Sequence, residues 1–246
     1  MIVKTRNTCR ICSSPLRSVL SLGYQRLGNV FPSKNDAPPP SAPLELARCY
    51  SKKRNSACGL VQLRHTVPGS ILYKEYWYRS GVNQTMTDHL TNIAKKAEHE
   101  VKLDNGDVVL DIGCNDGTLL HSYATKGIKR IGIDPARNVT LFAKKRGIKV
   151  INDFFNSLSF FRESKKKAKI ITSIAMFYDL DDPNQFVSDI KKVLHKDGLW
   201  IMELSYLPMM LKQNSFDTIC HEHLEYYALD PIDFLLRNNK LEAIDV

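Results

Sequence analysis

From residue 107 onward, short apolar runs alternate with amphipathic segments at a regular interval. The run Val108–Ile112 predicts a buried strand, and further runs at 130–134, 149–151, 169–174 and 199–203 predict four more. Between them, 118–126, 138–146 and 183–194 carry apolar residues at helical spacing. Units of this length predict an α/β domain built on a mostly parallel, doubly wound sheet, with right-handed crossovers and helices on both faces. The stretch 241–246, LEAIDV, reads as a sixth strand. Upstream the pattern changes. Met86, Leu90, Ile93, Ala94 and Ala97 share one face of a helix predicted from about residue 85, preceded by a crowd of aromatics at Tyr73, Tyr76, Trp77 and Tyr78. The prolines of 31–43, FPSKNDAPPPSAP, exclude helix and central strand and predict an extended connector. The expected organisation is a small module over 1–68, a tyrosine-rich connector and helix over 69–100, and the α/β domain over 101–246.

Composition narrows the class. With 43% hydrophobic and 25% charged residues in 246, the chain has the balance of a soluble globular protein with one sizeable core. The longest apolar runs are far short of a membrane span, and the opening MIVKTRNTCR holds no apolar signal region. The expected location is therefore the cytoplasm, with no membrane partner, where clustered cysteines hold metal more often than they form disulfides. The net charge of +9 is spread over short runs, Lys52-Lys53-Arg54, Lys95-Lys96, Lys144-Lys145-Arg146 and Lys165-Lys166-Lys167, which read as solvated helix ends or loops. No basic and aromatic residues interleave in a stripe that would stack bases, so nucleic acid is not the expected partner.

Three groups of residues carry chemistry. Cys9 and Cys12 form a C-x2-C pair, followed by Cys49 and Cys58 with the polar loop YSKKRNSA between them. Four thiolates suit tetrahedral zinc, and a closed four-cysteine site has no open position, so the metal would be structural. The second group lies at the carboxyl ends of the predicted strands, where open α/β sheets bind ligands. The first strand runs into DIGCNDG, with Asp111, Gly113, Cys114, Asn115 and Gly117. Asp134, 21 residues after Gly113, closes the second strand beside Pro135, where an acid can bind ribose hydroxyls. Asn152, Asp153 and Phe154 close the third, offering an amide-binding acid and an aromatic face for adenine. A dinucleotide pyrophosphate would be repelled by Asp111, whereas an acid there suits a cationic ligand such as S-adenosylmethionine. The segment resembles the first motif of class I methyltransferases, with Asn115 in the place of the usual middle glycine. The third group is SFDTICHEHLEYY, residues 215–227, with His221, Glu222 and His223 consecutive. It lacks the H-E-x-x-H spacing of a helical zinc protease. It is expected to hang over the same strand edge as the donor. There a histidine beside a carboxylate has the pKa to abstract a proton, as methylation at carbon requires.

Taken together, the four cysteines, CGLVQL at 58–63, DIGCNDGTLL and SFDTICHEHLEYY resemble the sugar C-methyltransferases. These are zinc-containing, S-adenosylmethionine-dependent enzymes of deoxysugar biosynthesis, similar to the 3-C-methyltransferases of the tetronitrose and mycarose routes. The resemblance implies a nucleotide-linked 4-keto-6-deoxy sugar, deprotonated beside the ketone and methylated at that carbon, commonly C3. It implies His223 as base, Glu222 positioning it or sharing the proton, and His221 and Cys220 lining the site. It also implies that Tyr76 and Tyr78 belong to the stretch facing the sugar nucleotide. Some relatives carry tyrosine where this chain has Cys220, and a histidine after the fourth strand where MFYDLDD offers Tyr178 and Asp179. Members of this family usually continue into a second α/β domain, so a further domain or a partner chain is expected to complete the sheet. An RNA or other small-molecule methyltransferase, or an inactive donor-binding subunit, are the alternative readings.

Overall fold

A computed structural model describes residues 3–28, 31–51 and 57–246; the run Lys52-Lys53-Arg54 and most of the loop between Cys49 and Cys58 lie outside the described residues. The chain forms two compact units that interleave along the sequence. The first comprises Met1–Leu72, Phe177–Ser188 and Leu204–Val246, the second Tyr73–Met176 and Asp189–Glu203.

The first unit begins with β1 (Lys4–Thr5), β2 (Leu16–Arg26), β3 (Ser41–Cys49), β4 (Val61–Leu63), β5 (His65–Thr66) and a helical turn, α1 (Gly69–Leu72). The second opens with α2 (Gln84–Glu100) and continues through β6 (Val108–Ile112), α3 (Thr118–His121), β7 (Lys129–Ile133), α4 (Arg137–Lys145), β8 (Lys149–Ile151), α5 (Ser157–Glu163) and β9 (Ala168–Ile174). Helix α6 (Pro183–Val193) leads into β10 (Leu194–Glu203), after which the first unit resumes with α7 (Leu207–Gln213), β11 (Glu225–Tyr226) and α8 (Leu229–Asn238).

The sheet of the second unit is wholly parallel, in the order β10-β9-β6-β7-β8. Strand order reverses between β6 and β9, and ligands of such sheets bind at the carboxyl ends of the strands beside that switch. Strand β6 is buried at every position, because a parallel sheet is covered on both faces. Its core draws Leu90, Ala94 and Ala97 from α2, Val109 from β6, and Leu119 and Leu120 from α3. The spacing that predicted α2 is thus the face that packs. The helix starts at Asn83, whose side chain accepts the N–H of Met86 and closes one of the open amides of the first turn.

In the first unit, β11-β4-β3-β2 form a four-stranded sheet. Glu225 and Tyr226 pair antiparallel with Gln62 and Val61, which joins residues near the C-terminal end of the chain to the cysteine-bearing strands.

Three expectations are corrected. Residues 41–43 are not connector but the start of β3, and Pro43 stands opposite Tyr24. β3 pairs with β4 only from Leu46 to Arg48, so the missing proline N–H falls where the strand has a partner on one side alone. The helix expected over 118–126 is the single turn α3, because the chain bends at Ser122 and Gly127 takes a left-handed φ of 77°. Residues 241–246 form no strand; Ile244 and Val246 face solvent at 79% and 95% exposure, and apolar side chains without a neighbouring strand have nothing to pack on.

Candidate functional site

Cys9 and Cys12 sit on a tight turn in which the Ile11 N–H points at Cys9 Sγ, 3.4 Å away, and Ser13, next after Cys12, takes a left-handed φ of 59°. Cys49 ends β3, and Cys58 precedes Gly59. The four Sγ atoms lie within 4.8 Å of one another, with Cys9 to Cys58 at 3.5 Å and Cys12 to Cys49 at 3.2 Å. Tetrahedral zinc with sulfurs at about 2.3 Å holds them roughly 3.8 Å apart. The set therefore fits a closed structural zinc. The bond from Cys58, against the burial that opposes it, brings the Cys9 thiol down to about 5, so a thiolate is favoured where a cation would sit.

Arg10, inside the C-x2-C turn, carries the cluster's position further. Its side chain is fully buried and donates to Gln62 Oε1 at 2.9 Å, the Leu63 carbonyl at 2.6 Å and Thr66 Oγ1 at 2.7 Å. Its Nε stands 3.4 Å from Glu225 Oε1, two residues past His223. The C-x2-C turn and the segment around His223 are thereby fixed to one another within the same unit.

The second unit holds the donor edge. Gly113 has φ of 74°, and a Cβ there would meet Met176 Cγ at 3.1 Å; at Gly117, φ is 75° and a Cβ would strike Ile148 Cδ1 at 2.5 Å. Only glycine fits both the backbone and the space. Asn115 also has a positive φ, 49°, which asparagine tolerates better than other side-chain-bearing residues. Its side chain explains why it stands where glycine is usual. Oδ1 accepts the N–H of Ser80 at 3.2 Å and of Asp116 at 2.8 Å, and Nδ2 donates to the Tyr78 carbonyl at 2.9 Å. The tyrosine-rich stretch is thus clamped to the loop after β6. Asn138 adds a second clamp, exchanging hydrogen bonds with the Tyr76 backbone at 3.0 and 2.8 Å. Tyr76 and Tyr78 themselves are exposed at 36% and 47%.

Asp111 is buried beside β9 and accepts from Thr172 Oγ1 at 2.6 Å, directly across the switch point. Burial pushes its carboxyl up to about 7, with the Thr172 bond opposing and the charge of Asp134 adding to the rise. Asp134 accepts the N–H of Asn115 at 2.9 Å and of Ala136 at 2.8 Å, so it orders the loop. Cys114 turns its thiol into the core, where a Cβ on Gly132 would meet it at 2.5 Å. Its Sγ lies 4.0 Å from the Asn115 carbonyl. Asn152 donates to Thr140 Oγ1 at 2.7 Å and accepts from Lys144 at 2.5 Å, beside Pro135 on the neighbouring loop; Asp153 Oδ1 accepts the Phe154 N–H at 2.8 Å. Phe154 keeps an exposed ring, with Tyr73 edge-on at 6.5 Å. Two glycine cradles, a buried acid and an exposed aromatic face fit S-adenosylmethionine. The sequence reading passed over Asp116, which is fully buried and accepts from Gly81 N–H at 2.9 Å and Thr118 Oγ1 at 2.6 Å. Its only signal was an acid between Asn115 and Gly117.

The segment 215–227, with His221, Glu222 and His223, belongs to the first unit. His221 is 3% exposed, and its Nε2 lies 3.1 Å from the Ala42 carbonyl. A carbonyl can only accept, so Nε2 carries the proton and the ring anchors the segment to β3. His223 is bonded in the opposite sense: Nδ1 lies 2.8 Å from the Thr218 carbonyl. Nδ1 therefore holds the proton and Nε2 keeps its lone pair. Burial holds the pKa of His223 below the usual histidine value, with the Thr218 bond and the charge of Glu222 opposing. The imidazole is neutral, and so basic, at neutral pH. The edge of Tyr178 meets its ring, centroids 4.5 Å apart. Burial, then the charge of Glu222, pushes the Cys220 thiol up to about 12, so it remains a neutral group. Tyr178 and Asp179 come from the turn after β9, fixed to the segment by the Leu224 N–H bond to the Tyr178 carbonyl at 2.7 Å.

No helix among the described residues is long and apolar enough to cross a membrane. The family model described as a methyltransferase domain matches residues 78–246, and that of a zinc binding domain matches residues 9–73. The C-methyltransferase NovU of Streptomyces niveus is 28% identical over 250 residues, covering 100% of this chain and 58% of that protein. Among solved structures, the cyclopropane synthase MmaA2 from Mycobacterium tuberculosis superposes with a TM-score of 0.50 at 15% identity, over 69% of this chain and 68% of that one. The plantazolicin methyltransferase BamL, solved with a triazolic desmethylPZN analog and SAH, gives a TM-score of 0.50 at 19% identity over 63% of each chain. These two likenesses are likenesses of fold.

Proposed function

Because the chain belongs to the methyltransferase-domain family, with S-adenosylmethionine as its cofactor and a structural zinc site, we propose that it methylates a carbon acid. The substrate in this reading is a nucleotide-linked 4-keto-6-deoxy sugar, and the carbon is the one beside the ketone, C3. The likeness to a C-methyltransferase supports the bond formed. Since the chain spans 58% of that relative, the activity of the whole protein is part of the proposal.

The observation that carries the reading is the tautomer of His223. Its Nδ1–H is committed to the Thr218 carbonyl, which leaves Nε2 as a neutral base held in one orientation. A base is what carbon methylation needs and what methylation of an existing oxygen or nitrogen lone pair needs less. Nε2 removes the proton beside the ketone, and the C–H electron pair moves into the enolate. Glu222 then faces the imidazolium and stabilises it. Bound S-adenosylmethionine supplies an electrophilic methyl group. His221 and Arg10 hold the segment in place.

The test is incubation with methyl-labelled S-adenosylmethionine and a panel of nucleotide 4-keto-6-deoxy sugars. Products would be read by nuclear magnetic resonance. A new methyl on the carbon beside the ketone is the expected result. Label found only on oxygen or nitrogen, or in RNA, would overturn the reading.

A further inference from the structure

Deprotonating a carbon beside a ketone drives charge onto the ketone oxygen, and the base cannot hold that charge itself. Apart from the phenol of Tyr178, whose ring meets that of His223, the contacts of His223 offer little to an oxyanion. The Thr218 carbonyl is an acceptor, and Tyr226 Oη reaches that same carbonyl at 3.5 Å. The Cys220 thiol is a weak donor. Among the described residues of this segment and the turn after β9, Asp179 Oδ1, Glu225 Oε1 and Tyr227 Oη lack a hydrogen-bond partner, and Glu225 Oε1 faces Arg10 Nε at 3.4 Å. Asp179 ends the turn after β9, next to Tyr178, and its Oδ1 is closed off from solvent with no hydrogen-bond partner. The residue as a whole is half-buried.

We propose that Asp179 is a further catalytic residue, whose carboxyl donates its proton in a hydrogen bond to the ketone oxygen as the enolate forms. This deepens the enolisation reading above and rests on it. The electron balance is simple. The C–H pair becomes the C=C bond, the carbonyl π pair goes to oxygen, the proton goes to His223 Nε2, and the Asp179 O–H lies against the new oxyanion.

The surroundings keep that proton in place. Asp179 is faced by Glu222 from the segment after α7, and its charge is felt by Glu225 and Tyr226 on β11. Arg10 stands on Glu225 at 3.4 Å. Asp181, two residues on, is occupied by Arg6 at 2.8 Å and Lys4 at 3.0 Å. Burial first, and then Glu222, pushes the Asp179 carboxyl well above the usual carboxylate range. The two acids divide the work: Glu222 beside the base, Asp179 beside the oxygen.

The experiment measures solvent deuterium entering the carbon beside the ketone of thymidine diphosphate-4-keto-6-deoxyglucose, without methyl donor, across neutral pH. Asp179→Ala should lose about a hundredfold in exchange rate, the cost of one oxyanion donor, and Asp179→Asn should lose less because its amide still donates. The wild-type rate should fall on the alkaline side, and that limb should be missing in Asp179→Asn. A merely structural residue would not move the limb. Infrared spectra of the intact protein at neutral pH should show a protonated-carboxyl band that Asp179→Asn removes. Should Asp179→Ala fail to fold, the near-isosteric Asn variant carries both readouts. Wild-type exchange in Asp179→Ala, or a band unchanged in Asp179→Asn, overturns the proposal. Exchange that survives His223→Ala instead overturns the assignment of the base, and no exchange by the wild type on any 4-keto sugar overturns the enolisation reading and this inference with it.

Discussion

Replacing Asn115 by glycine separates two things that this residue does. Its backbone sits at φ 49°, which glycine adopts freely, so the substitution keeps the loop conformation and removes only the side chain. Three hydrogen bonds go with it: to Ser80 N–H, to Asp116 N–H and to the Tyr78 carbonyl. At about 1 kcal/mol net for each, the loss is roughly 3 kcal/mol. Relief of the left-handed conformation returns about 1 kcal/mol, leaving a net cost near 2 kcal/mol. Asn115→Ala loses the bonds without that relief and should cost about 3–4 kcal/mol. Two of the three bonds tether the Tyr78–Ser80 backbone, so the cost should appear there as local opening. Amide hydrogen exchange read by mass spectrometry should show Ser80 and its neighbours exchanging about thirtyfold faster in Asn115→Gly, the equivalent of 2 kcal/mol. Alanine should exchange faster still, and the strands β6 to β9 should keep their protection. Unchanged exchange at Ser80 in the glycine variant would refute the clamp. Equal behaviour of the two variants would refute the assigned cost of the left-handed backbone.

Further outcomes follow from the same geometry. Asp111 is raised to about 7 in the absence of a cation, so below that pH donor binding must expel its proton. Calorimetry should show S-adenosylmethionine affinity rising with pH up to about 7 and levelling off above, while Asp111→Asn binds weakly with no slope; a flat wild-type profile would contradict the assignment. The sign for folding is opposite: a carboxyl raised on folding contributes stability that is present in acid and lost as pH rises towards about 7, so the protein without donor should melt lower at neutral than at mildly acidic pH. Metal analysis after purification without added zinc should find roughly one zinc per chain, and a strong chelator should lower the melting temperature and expose four thiols to a thiol reagent. Full zinc retention in Cys12→Ser would sink the four-thiolate site.

Much of the second unit was readable because a parallel sheet announces itself. Val108–Ile112 is a continuous apolar run bounded by polar turns, and Leu90, Ala94 and Ala97 keep helical register. What escaped the pattern depends on partners far along the chain. β2 exposes Val19 at 60% and Tyr24 at 75%, so no apolar face marked it; its pairing with β3 makes it a strand. The division into interleaved units rests on contacts such as Glu225 with Gln62, which no local spacing reveals. Residues 241–246 have strand-like composition but no neighbouring strand among the described residues. The site was legible as a list and not as a set of roles. His221 and His223 are two residues apart and chemically identical, and only the Ala42 and Thr218 carbonyls distinguish them, one holding Nε2 and the other Nδ1. Asn115 read as a substituted glycine until its three bonds gave it a task of its own. Asp179 followed the fourth strand in plain view, yet its closed-off oxygen is a product of tertiary packing.

The central claim is that His223 makes the carbon acid reactive before any methyl group moves. It is tested most directly by incubating wild type and His223→Ala with a nucleotide 4-keto-6-deoxy sugar in deuterated water, without methyl donor. Binding of S-adenosylmethionine to each would be measured in parallel. The account predicts deuterium at the carbon beside the ketone with the wild type, and a loss of about 10²–10⁴-fold in the variant at unchanged donor affinity. Exchange at the wild-type rate in His223→Ala would contradict it.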